Sequence, residues 1–333
     1  MNILPMNLHS ILQLANQKPV VLQIASKAEN LSKFRAAAWR RRFLLLSLIV
    51  FTLYTLAPTN AIGATRSKGL SLIASVPPQE YLLNKLKTPQ SVVNVVIKPG
   101  QNPTTWDPSP RQMQKIVSAD IMFPIGVPFE AIWLPRLRER APSLVIADTL
   151  VGVEHMEIEH HYHHGHEARH GSIDPHIWLD PLRCIRMAEN MAATLQQIDP
   201  AQFDFYAERL EHLRTELQQL HHDIEKILTP LQQRTFMVFH PSWGYFAARY
   251  NLQQIALEKD GKEPSGAHLA RLIEQAQQEQ IKVIFVQQQF STKAARAIAA
   301  QTGARIETLD PLASDLADSL RRTARTLARS LAL

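Results

Sequence analysis

DPAQFDFYAERLEHLRTELQQLHHDIEKIL, residues 199–228, carries apolar side chains at Phe203, Tyr206, Leu210, Leu213, Leu217, Leu220, Ile224 and Ile227. The steps between them alternate between three and four residues, which draws a single stripe along an α-helix. Asp199 is placed as an N-cap with Pro200 in the first turn, and Pro230 follows the last turn. The spacing therefore predicts one helix of about 28 residues, about 42 Å long. A helix of that length is able to brace two lobes. A coiled-coil dimer is the competing reading of the stripe, but the sheet-like patterns on either side favour packing within the chain.

Working outward, short apolar runs alternate with longer amphipathic ones. Before the helix stand LSLIAS (70–75), SVVNVVI (91–97), DIMFPIG (120–126) and SLVIAD (143–148). After it come TFMVFH (235–240), IKVIFVQ (281–287) and ARIETLD (304–310). Such alternation predicts an α/β protein of two lobes, each with a mainly parallel sheet flanked by helices and joined by the long helix. The expected organisation is an N-terminal extension and signal peptide over 1–64, a first lobe over 69–198, the linking helix over 199–229 and a second lobe over 235–333.

The 333 residues suffice for two such lobes, each able to bury a core. With 45% hydrophobic and 20% charged residues, the chain is neither disordered in bulk nor a polytopic membrane protein. The formal charge of +6 suggests a nucleic-acid partner only until its location is read. Seven of the 36 basic residues and one of the 30 acidic ones precede residue 65, so the remainder is balanced. No nucleic-acid partner is expected. The stretch WRRRFLLLSLIVFTLYTLAPTNAIGA (39–64) has a basic start at Arg40–Arg42, an apolar run from Phe43 to Ala57 and small residues from Ala61 to Ala64. This pattern predicts a secretory signal peptide, and hence an exported protein. Left uncleaved it would act as an anchor, although its apolar run is shorter than the roughly 20 residues that span a bilayer. The single cysteine, Cys184, permits no internal disulfide and no thiolate cluster.

Any metal site must then use imidazole and carboxylate. In open α/β sheets ligands bind beyond the carboxyl ends of the strands. Three residues have that address: His240 ends TFMVF, Asp310 ends RIETL, and His176 lies in DPHIWLDP (174–181), after the fourth strand. Two imidazoles and a carboxylate suit Zn²⁺ or a similar divalent ion. Each also has a plainer reading, His240 as a strand end and Asp310 as the N-cap of the final helix. His212, His221 and His222 on the long helix, and His268 near a helix start, are read as surface residues.

PGQNPTTWDPSPRQM (99–113), DPHIWLDP (174–181), FHPSWGYF (239–246), GKEPSGAHLARLI (261–273), FVQQQFSTKAARAIA (285–299) and TLDPL (308–312) together resemble the zinc-uptake solute-binding proteins of metal ABC transporters. The resemblance runs from about residue 70 to the end of the chain. It implies a metal site in the cleft between the lobes, with His176, His240 and Asp310 as ligands. It further implies Zn²⁺ as transported cargo, an inner-membrane ABC permease as partner, a monomer, and no catalysed reaction.

One departure stands out. Thr104 occupies the position of the family's first histidine ligand, and a neutral hydroxyl is a poor zinc ligand beside imidazole or carboxylate. Three outcomes follow: a three-ligand site completed by water, a ligand recruited from the histidine-rich loop, or a site of reduced affinity. That loop, 155–170, holds His155, His160, His161, His163, His164, His166 and His170 and is expected to form weaker, plural accessory sites. The competing functions are a manganese or other divalent-metal binder, a zinc hydrolase with an open coordination position, and a degenerate homologue that binds no metal.

Overall fold

The computed structural model describes residues 69–157, 173–258 and 262–332. The expected signal peptide and the loop histidines from His160 to His170 lie outside the described residues. Ser67–Leu333 is one compact unit.

Its first half runs β1 (Ser71–Ala74), α1 (Pro77–Leu86), β2 (Val92–Val95), α2 (Pro110–Val117), β3 (Ile121–Phe123), α3 (Pro128–Arg140) and β4 (Val145–Ile146). These strands form a parallel sheet in the order β2-β1-β3-β4. Two helices follow, α4 (Pro181–Ile198) and α5 (Phe203–Leu228). The second half runs β5 (Thr235–Val238), α6 (Gly244–Arg249), β6 (Gln253–Ala256), α7 (Gly266–Gln278), β7 (Val283–Val286), α8 (Lys293–Thr302), β8 (Arg305–Thr308) and α9 (Leu316–Leu331). Its sheet, β6-β5-β7-β8, is also parallel and repeats the order of the first. In each sheet the strand order reverses about a central pair, β1/β3 and β5/β7, and the crevice beyond such a switch point is where α/β folds bind ligands.

The inner strands β1, β3, β5 and β7 read as nearly continuous apolar runs because helices cover both faces. In β5 and β7, Phe236, Val238, Val283 and Phe285 turn to one face, while Met237, Ile284 and Val286 turn to the other. The first face joins a core that also takes in the whole first half, so the two halves share a hydrophobic cluster instead of each closing its own. α5 is the spine of that cluster. It packs on α4, α1 and α9, and buries Tyr206, Leu213, Leu217, Leu220, Ile224 and Leu228. Each such aliphatic side chain contributes about 1.5–3 kcal/mol by leaving water.

Three expectations need correction. The long helix begins at Phe203, because Pro200–Gln202 forms a separate 3-10 turn and Asp199 closes α4. Its buried stripe also ends on Leu228, with Ile227 half-buried and Phe203 exposed. The second sheet has a fourth strand, β6, at the edge, where Gln253 and Gln254 interrupt the apolar run that would have marked it.

Candidate metal centre

A cavity of about 710 Å³ lies between the halves, where the carboxyl ends of both sheets meet. Its wall includes Thr104 after β2, Gly126 after β3, His155 and His176 from the first half, and His240 and Gln289 from the second. Glu130, buried in α3, holds the Ile125–Gly126 part of the wall: its carboxylate accepts the backbone N–H groups of Ile125 (3.0 Å) and Gly126 (2.6 Å) and the Ser75 hydroxyl. Burial raises its pKa, against the hydrogen bonds that favour the charged form.

His176 and His240 come from different halves, yet their ring centroids are 5.2 Å apart. Each ring is fixed by a carboxylate. His176 Nδ1 lies 2.6 Å from Asp174 Oδ1, and His240 Nδ1 lies 2.7 Å from Glu258 Oε1. A carboxylate only accepts, so in neutral rings both Nδ1 atoms carry the proton and both Nε2 atoms keep a lone pair. A zinc ion about 2.1 Å from an imidazole nitrogen sits about 3.2 Å from the ring centre, so two rings at a tetrahedral angle have centres about 5.2 Å apart. The observed separation fits that geometry.

The carboxylates are themselves held. Asp174 is buried and also accepts the His176 backbone N–H. Gly244 lets the second half approach it, since a Cβ there would stand 3.1 Å from Asp174 Oδ2. Tyr245 donates to the Asp174 carbonyl at 2.9 Å. On the other side Gln287 grips the His240 backbone twice, accepting its N–H at 3.1 Å and donating to its carbonyl at 2.8 Å. The His240 ring stacks on Phe290 with centroids 4.6 Å apart. Burial lowers the His240 pKa, and the neighbouring His176 also lowers it, while the hydrogen bond to Glu258 opposes both. His240 is therefore neutral and able to bind a metal at pH 7.

Asp310 is not among the residues that line the cavity, although its neighbours Pro311 and Leu312 are. The donor atoms of His176, His240 and Asp310 do not all lie within 4.8 Å of one another. Asp310 Oδ1 accepts the Leu312 backbone N–H at 2.9 Å, and its carbonyl accepts the Ser319 hydroxyl. It does not cap the last helix, because Asp315 does. Its loop is nevertheless tied to the His176 loop by Trp178, whose indole N–H donates to the Pro311 carbonyl at 2.7 Å. Thr104 is exposed, and its hydroxyl and backbone N–H both turn to Asn102 Oδ1. Sequence reasoning missed Glu258, Gln287 and Gln289, whose amide oxygen is buried without a partner. Asp174 stood within the quoted DPHIWLDP motif but had no assigned role.

Two parallel-sheet halves spanned by a helix, with paired imidazoles facing a cavity between them, define a bilobed solute-binding protein. Over residues 72–330 the chain matches the family described as ZnuA, zinc-uptake complex component A, periplasmic, and it belongs to that family. It is 27% identical over 260 residues to the high-affinity zinc uptake system protein ZnuA of Bacillus subtilis, covering 75% of this chain and 81% of that one. It is 25% identical over 278 residues to the zinc-binding lipoprotein AdcA of Streptococcus pneumoniae strain R6, covering 81% of this chain but only 55% of the longer AdcA. Among solved structures, a crystal structure of ZnuA superposes with a TM-score of 0.73 at 37% identity, covering 79% of this chain and 99% of that one.

Proposed function

We propose that the protein captures Zn²⁺ in the periplasm and hands it to an inner-membrane ABC permease, holding the ion between His176 and His240. The observation that carries the proposal is the pair of imidazoles, brought from opposite halves to the separation a tetrahedral zinc requires, each with Nδ1 committed to a buried carboxylate. Nitrogen-rich ligation favours zinc over manganese. Among the described residues, His155 lines the same cavity and is the proposed replacement for the imidazole that Thr104 lacks. Asp310, next to the lining residues Pro311 and Leu312, is the carboxylate proposed to complete the site. The chain acts as a monomer that releases its cargo unchanged, so zinc-loaded protein is expected to hydrolyse esters and peptides no faster than zinc in buffer.

Equilibrium dialysis of the metal-free chain, with zinc counted per protein, tests the reading. One tight equivalent is expected, lost in His176→Ala and in His240→Ala. His155→Ala should weaken it, and Thr104→His should tighten it roughly tenfold, equivalent to about 1.4 kcal/mol. Tight binding that survives both alanine substitutions would overturn the assignment. An unchanged affinity in His155→Ala would remove His155 from it.

A further inference from the structure

His221, His222 and Glu225 lie on α5, away from the cleft residues in sequence and unused by the proposed capture site. Successive helical residues turn by about 100°, which puts Glu225 about 40° and His222 about 100° around the axis from His221. The carboxylate thus projects between the two imidazoles. One donor atom from each of the three lies within 4.8 Å of the other two, the only such trio of histidine, cysteine or acidic residues among the described residues. His222 Nδ1 and Glu225 Oε2 are 3.7 Å apart, close to the roughly 3.4 Å between neighbouring donors of a tetrahedral zinc. Both side chains are exposed, at 67% and 56%, and so are free to make the remaining adjustment.

His221 is more firmly placed. Its ring stacks on Tyr250 with centroids 5.6 Å apart, and its Nδ1 lies 3.3 Å from the Tyr250 hydroxyl. Burial holds its pKa below the ordinary histidine value, and the Arg249 and His222 charges push it further down, against Glu225. A neutral ring is the form that binds a metal. The opposing cation, Arg249, is occupied by Asp180, with guanidinium contacts of 2.8–3.1 Å. The neighbouring Asp223 is taken up by Gln219 and Arg321 and does not compete for the imidazoles.

We infer that His221, His222 and Glu225 form a second divalent-metal site, for an ion of borderline softness such as Zn²⁺ or Cu²⁺, built on α5 alone. His221 and Glu225 stand four residues apart, so a bound ion clips one helical turn and requires no movement of the two halves. The site loads independently of the cleft, and more weakly, because its donors are solvated and one must be drawn in.

Diethyl pyrocarbonate labelling of the full chain reads the site directly, since the tryptic peptide Thr215–Lys226 contains His221 and His222 and no other histidine. The chain carrying both His176→Ala and His240→Ala is labelled with and without excess Zn²⁺, so that the cleft plays no part. Zinc is expected to slow modification of His222 several-fold, and Glu225→Gln should abolish that protection. Modification of the exposed His212, on the same helix, should be unaffected in both and reports that the fold is retained. Equal His222 rates with and without zinc would overturn the proposal, as would full protection in Glu225→Gln.

Discussion

At the scale of single residues, His240 combines burial with a fixed proton position, and this gives the apo protein a defined response to acid. In the unfolded chain an imidazole titrates near pH 6.5, whereas the folded His240 resists protonation to a lower pH. Above about pH 6.5 both states are neutral and the residue adds no pH dependence. As the pH falls through that value the unfolded state takes up a proton that the folded state refuses, so stability declines until His240 itself protonates. The steepest slope it contributes is about 1.4 kcal/mol per pH unit. His240→Asn keeps a donor for Glu258 but does not titrate. Urea unfolding of the metal-free chain between pH 7 and 5.5 is expected to show a shallower loss of stability in the variant than in the wild type; parallel curves would contradict the account. His240 was legible in the sequence because it ends an apolar strand run, and His176 because it stands in the DPHIWLDP motif. Their carboxylate partners were not. Glu258 lies 18 residues beyond His240, after an edge strand the pattern did not reveal, and only the pairing of β5 with β6 brings the two together.

At the scale of elements, the start of α4 is where the two halves are joined by charge. Asp180 is fully buried, caps α4 by accepting the Leu182 N–H at 2.9 Å, and binds Arg183 of α4 and Arg249 of α6. Removing it leaves Arg249, 29% exposed, without its counter-charge, leaves Arg183, 15% exposed, with only the solvent-exposed Glu154 at 3.5 Å, and takes the cap from the helix. Asp180→Ala is expected to cost about 3 kcal/mol, read as a lower urea midpoint with an unchanged slope. A loss below about 0.5 kcal/mol, the range of ordinary surface changes, would show that the network contributes little. Helices and strands with strong periodicity were legible: the stripe of α5 and seven of the eight strands follow from apolar spacing alone. The strand that was not, β6, carries two glutamines at a sheet edge, where solvent tolerates them. The start of α5 was misplaced because Asp199 and Pro200 form a sound helix-start signal, which here opens a 3-10 turn between two α-helices.

At the scale of the whole molecule, two similar sheets share one core and a continuous helical spine, so packed side chains join the two halves beside the cleft. The end of β5 and the turn that leads into α4 deliver His240 and His176 to one another across that cleft, and Trp178 ties the His176 loop to the loop bearing Asp310. In the proposed cleft site zinc capture depends on both halves together, whereas the proposed helical site belongs to α5 alone. Anomalous diffraction at the zinc edge from crystals of the zinc-loaded chain separates them most directly. The account predicts the strongest peak in the cleft, about 2.1 Å from the Nε2 atoms of both His176 and His240. Strong zinc peaks elsewhere, with none between those two imidazoles, would contradict it.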